Sequence, residues 1–568
     1  MEQESDGLRR AGATRHLRPV SLGRWNLDAM HTAMLVGVLL VTAIVYLRCL
    51  GNGFVYDDYP AIVQNPSLAH WSFFWKSATR DIWWFRQPDQ LPQSAYYRPL
   101  QNIWLALNYH LFGLNPVGWH AMKILLHLVV VLLSFRVAQL LTGSAFAGLL
   151  AALLFAVLPA HAEAVVWAEA IPEPLSAAFE LGALCLFIRR SGRRWRRLAW
   201  PLVLSGGAML SHESAVVFPL LIAAYTFLLE TQASKCDASA QSEASATVID
   251  RAGRALAWSA PFFGIALLYI GVRALVLGSG VLGWSAPKVT AAPIVLNGIL
   301  VFPPSKTAHP FAEVLMSIPE VLICYLESLV VPWLVGPSHD VKFVIAPDAR
   351  NFFLPSAILV VLAALGYFTF RKSPRRRLYL FCATWWVISL LPTLNLDHVV
   401  ALVQDRYEYL ASFGFCVLIG DCAVHAAQLS AARTRVIMVA ATALIAVYVG
   451  VLWRAEAIWH DNVALFGLSV EMFPDSSFYH RALAQALMDE GDLDGAVRHL
   501  VIASRLAPDD AAIHLALGLL YMRMRRDDAA AAEMRAYYGS GPKPVNIDPK
   551  SLMLHTGQYS DRHYPVPK

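Results

Sequence analysis

What constrains this chain most is a succession of long apolar runs. Stretches rich in Leu, Val, Ala and Phe recur at about 30–50, 117–141, 144–160, 173–190, 198–211, 214–230, 255–277, 352–370, 378–392, 409–427 and 435–453. A helix needs about 20 mostly apolar residues to cross roughly 30 Å of hydrocarbon, and in lipid every backbone polar group must find its partner inside the element. The eleven runs therefore predict an all-α polytopic membrane protein. Only 15% of residues are charged and 57% are hydrophobic, against about 25% charged in soluble domains, which excludes a soluble enzyme. The formal net charge of +5 leaves no basic footprint for nucleic acid.

Orientation follows from where the basic residues fall. Residues 1–29 carry Arg9, Arg10, Arg15, Arg18 and Arg24 and read as a cytoplasmic tail before a retained first span. The clusters Arg189–Arg197, Arg371–Arg377 and Ala432–Arg435 all fall on the cytoplasmic side if the spans are eleven. The apolar stretch at about 313–337 is read as an interfacial or re-entrant helix, because a twelfth span would move the two later clusters outside. Residues 51–116, rich in Trp, Tyr, Asp and Pro, form a long first external loop, and 233–246 a mobile cytoplasmic one. The seven cysteines include no C-x-x-C pair, so neither a disulfide framework nor a cysteine-bound metal is expected.

Beyond the membrane domain, 30–454, the sequence becomes soluble in character and repeats itself. Over 455–545, Pro474 maps onto Pro508, His480 onto His514, Leu483 onto Leu517, Ala484 onto Gly518 and Ala496 onto Ala530, a period of 34. That period and pattern match tetratricopeptide repeats, each a pair of amphipathic helices. Two repeats are fewer than the three or so that stand alone, so this region is expected to pack on the membrane domain or a partner; 546–568 is a tail.

Residues able to do chemistry gather at the ends of spans. Asp57 and Asp58 lie just beyond the first span amid Phe54, Tyr56 and Tyr59, where a carboxylate could act as general base toward a lipid-borne donor or simply cap a turn. Arg98 suits bidentate phosphate binding or headgroup contact. Lys123 and His127 lie one turn apart inside a span, where an ionisable group is a functional candidate. The stretch LPAHAEAVVWAEAIPEP gathers His161, Glu163, Glu169 and Glu173, a weak metal signature, and Glu213, after Ser211 and His212, could join them. Before the tenth run stand Asp397, His398, Gln404, Asp405, Arg406 and Tyr407. Arg406 reads as a second phosphate contact or as the partner of Asp405 in a surface pair.

In combination and order, FVYDDYPAIVQNP, YYRPLQ, LNYHLFGLNPVGWHAMKILLH, LPAHAEAVVWAEAIPEPLSAAF, YLESLVVPWLVGPSHD, DRYEYLASFGF and the terminal repeats resemble the transmembrane-and-tetratricopeptide-repeat O-mannosyltransferases. These belong to the GT-C class of lipid-phosphosugar-dependent glycosyltransferases. The resemblance implies a GT-C-like bundle and Asp57 and Asp58 as catalytic base candidates, with Asp58 preferred. It maps the family's H-x-E motif onto His161 and Glu163 and places Arg406 where its E-R-Y-type motif sits, while the residues themselves offer Arg98 and Lys123 beside Arg406 as donor phosphate ligands and Glu213 and Tyr407 as further active-site candidates. His212 departs from the Lys that family members usually carry before the Glu, and the repeats are few.

The expected function is an integral-membrane glycosyltransferase that moves a sugar, mannose by resemblance, from a polyprenyl-phosphate donor to a hydroxyl acceptor. That acceptor is expected to be a protein or peptide reached through the repeats, on the non-cytoplasmic face. No cofactor is obligatory, though a divalent metal is compatible with the carboxylates. The absence of an N-x-S/T sequon or a C-terminal retention signal favours a bacterial plasma membrane over an endoplasmic reticulum. A polyprenyl-linked glycan transporter or flippase, and an inactive membrane-anchored repeat scaffold, are the alternatives; neither accounts for the acidic first loop.

Overall fold

A computed structural model describes residues 28–86, 94–189, 194–230, 247–278, 294–296, 299–301, 310–331, 333, 335–337, 339, 341–394 and 402–539. The N-terminal tail up to residue 27, residues 190–193 of the Arg189–Arg197 cluster, the 233–246 loop with Cys236, the segment holding Asp397 and His398, and the C-terminal 540–568 lie outside the described residues. The other six cysteines are free thiols.

All eleven apolar runs are helical. In chain order the helices are α1 (Ala29–Tyr46), α2 (Ser72–Ser77), α3 (Pro99–Phe112), α4 (Pro116–Thr142), α5 (Ala145–Val157), α6 (Ala162–Val166), α7 (Pro172–Ile188), α8 (Arg194–Ser211), α9 (Phe218–Tyr225), α10 (Val248–Leu277) and α11 (Phe311–Val330). They continue with α12 (Leu354–Phe370), α13 (Arg376–Leu390), α14 (Glu408–Ala427), α15 (Ala431–Ile458), α16 (Asn462–Met472), α17 (Ser477–Glu490), α18 (Leu493–Leu506), α19 (Ala511–Arg523) and α20 (Asp527–Gly539). A short antiparallel ribbon, β1 (Ile294–Leu296) with β2 (Ile299–Val301), is the one departure from an all-helical fold among the described residues.

Eight helical stretches among the described residues are long and apolar enough to cross a membrane, and α5 with Pro159–Val166 makes a ninth if that pair, bent by 57°, is one span. The bend falls where Pro159 can neither donate a backbone hydrogen bond nor leave room for a helical residue before it. The remaining two runs fold as shorter helices: α7 has 17 residues, and the apolar part of α8 is Leu198–Ser211. Helix α11 carries Glu313, Glu320 and Glu327 and is not among the spanning candidates. Its buried residues Val314, Ser317, Val321, Tyr325 and Ser328 form one stripe, the pattern of a helix lying against the bundle by one face.

Local sequence sets the helix ends. Helix α4 opens on Asn115, whose side chain accepts from the Val117 N–H, with Pro116 in the first turn, and it closes on Gly143 at φ 70°. The core runs through the bundle from Leu35 to Trp459 and on into Leu465, Phe466, Leu483 and Ala486, so α16 and α17 pack on the membrane domain as expected. The first loop builds a core of its own around Phe54, Ile62, Phe73, Trp84, Leu105 and Trp119.

The 34-residue period appears as repeated hydrogen bonds. His480 and His514 each place Nε2 2.9 Å from the carbonyl six residues earlier, Pro474 and Pro508. Ser476 and Asp510 cap α17 and α19, and Gly491 and Arg525 end them at φ 88° and 56°.

Where helices approach most closely, glycine is required. A Cβ on Gly414 of α14 would lie 2.5 Å from the Cys382 carbonyl of α13, and one on Gly420 2.7 Å from the Ala147 carbonyl of α5. Backbone cannot yield as a side-chain tip does. Gly414→Val is therefore expected to destabilise the bundle by about 1–3 kcal/mol, read as a lower unfolding midpoint in detergent; an unchanged midpoint would mean that α13 and α14 do not pack this closely.

Candidate active site

The candidate residues come from five segments that meet at one end of the bundle. These are the loop after α1, the start of α3, the α6–α7 turn, the α8–α9 junction and the start of α14. Arg406 is the hub. Its backbone N–H donates to Glu163 Oε2 at 3.0 Å and its Nη1 to Glu163 Oε1, while Nε lies 3.3 Å from Glu173 Oε1. The guanidinium also lies 5.3 Å from the Trp167 ring and 5.0 Å from that of Tyr407, within range for cation–π attraction. Glu163 is thus an orienting partner for Arg406. Asp405 does not form the alternative surface pair with Arg406 but turns away, accepting from the Gly336 N–H and pairing with His339 at 2.7 Å.

Arg98 is also already engaged, donating through Nε and Nη2 to both carboxylate oxygens of Glu213 at 2.7 and 2.5 Å. The fork-to-fork geometry is strong and directional. The two arginines expected to grip phosphate therefore stand in carboxylate pairs. Lys123 is buried, its ammonium 2.5 Å from the Ala170 carbonyl. His161 lies in the core and not in the polar cluster: it bonds Ser412 through Nε2 and packs on Phe155 and Tyr409. His127 is likewise internal, bonded to the Tyr409 hydroxyl.

The two aspartates part company. Asp58 is fully buried, and its oxygens accept the Val55 N–H at 3.0 Å and the Glu169 N–H at 2.8 Å. It ties the loop to the α6–α7 turn; burial pushes its carboxyl up to about 7 against the pull of these two bonds. The Asp57 carboxylate accepts no hydrogen bond from any described residue and is only half-buried. Desolvation raises its pKa, and the positive charges of Arg86 and Arg406 pull it back down. Glu169, bonded by Gln101 Nε2, is pushed up to about 8 by burial and then by the charge of Asp57.

Arg86 went unnoticed in the sequence because it follows DIWWF and reads as part of an aromatic loop. It lies 3.8 Å over Trp83, its Nε has no hydrogen-bond partner, and its field reaches Asp57 and Glu169. Beside Arg406 opens a cavity of ≈ 30 Å³ lined by Glu173, Ser176, Glu180, His212, Ser389, Thr393 and Tyr407. His212 Nδ1 accepts the Ser214 N–H, which leaves the proton on Nε2. That atom, Glu173 Oε2 and Ser389 Oγ have no protein hydrogen-bond partner. Among the described residues no group of three or more His, Cys, Asp or Glu is placed to hold a metal ion.

Comparison with known proteins bears on this arrangement. The chain is 24% identical over 523 residues to Protein O-mannosyl-transferase TMTC3 of Homo sapiens, covering 89% of this chain and 54% of that protein. It is 25% identical over 553 residues to Tmtc3 of Drosophila melanogaster, covering 86% and 57%. The chain resembles the TMTC protein O-mannosyl-transferases. It spans about half the length of these relatives. A family model described as a TPR repeat matches residues 484–524, within α17–α19. Among solved structures, an Archaeoglobus fulgidus oligosaccharyltransferase tethered with an acceptor peptide aligns at 14% identity and TM-score 0.39, covering 81% of this chain and 59% of that one.

The TMTC resemblance and the geometry draw attention to the same segments, but the buried pairs are what the structure adds. Removing one partner of a buried ion pair strands the other charge, at a cost of about 3–5 kcal/mol. Glu163→Ala should lower the unfolding midpoint accordingly, and Arg406→Met should cost less in that background than on its own, because Glu163 is then no longer there to be stranded, although Glu173 still loses its partner. If the double variant is less stable than Glu163→Ala by the full effect of a second independent substitution, the two residues are not a coupled pair.

Proposed function

We propose that this protein is a membrane glycosyltransferase that transfers a sugar from a polyprenyl-phosphate donor to a hydroxyl of a protein or peptide, with mannose as the sugar. The observation that carries this reading is the unclamped Asp57 carboxylate, held within the fields of Arg86 and Arg406 at the end of the bundle, in a chain that resembles protein O-mannosyl-transferases. The basic segment Arg371–Arg377 lies at the opposite end of the bundle, where Arg375 pairs with Asp421 and bonds the Thr142 carbonyl. By the positive-inside rule that end is cytoplasmic, so the acidic loop and the repeats are non-cytoplasmic. A bacterial plasma membrane is the setting we favour.

The chemistry is a direct displacement. Asp57 takes the proton of the acceptor hydroxyl as its oxygen bonds to the anomeric carbon, and the bond from that carbon to the phosphate oxygen breaks, with inversion. The departing lipid phosphate gains charge, and Arg86 and Arg406 lie where positive charge would stabilise it. Arg98 could contribute only after its pair with Glu213 opens. The cavity beside Arg406 offers a carboxylate, an imidazole N–H and hydroxyls, and at ≈ 30 Å³ it has room for water but not for a sugar ring. Asp58 holds the loop in place and is not the base.

A positioned base contributes about 10²- to 10⁴-fold. Asp57→Asn should therefore lower turnover by that order with little change in donor affinity, while Asp58→Asn should chiefly reduce stability. The assay is transfer from labelled polyprenyl-phosphate mannose to a Ser/Thr peptide by purified protein in lipid; full turnover in Asp57→Asn would sink the assignment. The base must be deprotonated, so activity is lost as pH falls through its raised pKa. Arg86 holds that pKa down, so Arg86→Gln should move the acid limb of the rate profile to higher pH, and a limb that stays put would separate Arg86 from Asp57.

A further inference from the structure

Tyr56, the residue before Asp57, has φ 48°. A side chain bearing a Cβ enters this left-handed region only when its surroundings hold it there, and Tyr has no short polar group to bond locally and ease the fit. The restraint comes from outside the loop. The Tyr56 N–H donates to Asn462 Oδ1 at 2.9 Å, and the Gly53 N–H to the His460 carbonyl at 3.0 Å. The Tyr56 ring sits 5.6 Å from Trp167 and 5.9 Å from Phe466, and Trp167 stacks on Trp459 at 5.3 Å. Asn462 and Phe466 belong to α16, whose start Asp461 caps through the Ala464 N–H. Helix α16 in turn packs on α17, the first helix of the repeats.

Two loop amides are thus answered by a segment more than four hundred residues away in sequence. Without Asn462 the Tyr56 N–H would lose its acceptor, and the backbone would be free to return to negative φ. That rotation turns the next peptide unit, and with it the Cα–Cβ direction of Asp57.

We infer that Asn462 is a positioning residue for Asp57: by accepting the Tyr56 N–H it holds the strained turn that aims the carboxylate, so that the module carrying the repeats completes the active site. The inference rests on the proposed role of Asp57. Its structural half, however, can be read without any activity.

The test compares Asn462→Leu, which removes the acceptor at similar size, with Asn462→Asp, which keeps an acceptor oxygen in place. Asn462→Ala serves if the Leu variant does not fold. Hydrogen exchange of peptides spanning 53–63 should show lost protection at residues 53–58 in Asn462→Leu and near wild-type protection in Asn462→Asp. With labelled polyprenyl-phosphate mannose and a Ser/Thr peptide, kcat should fall by about 10- to 100-fold in Asn462→Leu, the scale of a misplaced reacting group. Donor affinity should hold, and Asn462→Asp should recover most of the turnover. Unchanged exchange in Asn462→Leu overturns the latch. Raised exchange with unchanged kcat overturns the positioning role, as does a loss that appears equally in donor affinity. A wild-type protein that transfers nothing would instead count against the proposed function, with the exchange measurement still deciding whether Asn462 holds the turn.

Discussion

The polar end of the bundle depends on one half-buried cation. Arg406 starts the helix that packs against both α5 and α13, and its partners Glu163 and Glu173 sit on either side of the turn between α6 and α7. A guanidinium taken from water is tolerable only with its hydrogen bonds satisfied and its charge matched. Two carboxylates do this, and in doing so fix the break after Pro159, the entry into α7 and the height of Trp167. The acidic loop is then set against that same turn, through Asp58 to the Glu169 amide and through Tyr56 to Trp167. Loss of Arg406 would release all of these together.

What the sequence disclosed was what short-range chemistry determines. The repeat could be counted because each unit makes the same local bonds, His480 to Pro474 and His514 to Pro508. Apolar runs became helices wherever they were long enough. The acidic pair was visible as a pair, yet its division of labour was not, since that depends on the Glu169 amide reaching Asp58 from 111 residues away. His161 and Glu163 look alike as an H-x-E motif, but one faces Ser412 in the core and the other Arg406, a consequence of adjacent turns pointing in different directions.

The arginines teach the same lesson in terms of charge. Arg98 and Arg406 both stand just before helices, and no local signal revealed that Glu213 and Glu163 would occupy them. Arg86 lacked any motif at all; it matters only because the fold brings the first loop back over Asp57. A sequence shows which charges exist near a boundary, and the tertiary fold decides which are already spent on one another.

The short helix α7 has a consequence for how polar groups are held within the bundle. At 17 residues it is about 25 Å long at 1.5 Å per residue, and ten of those residues are buried, so it is an interior helix. Its first turn carries Glu173, beside Arg406 and the small polar cavity. The polar groups at its start are therefore walled in by its neighbours α4 and α8.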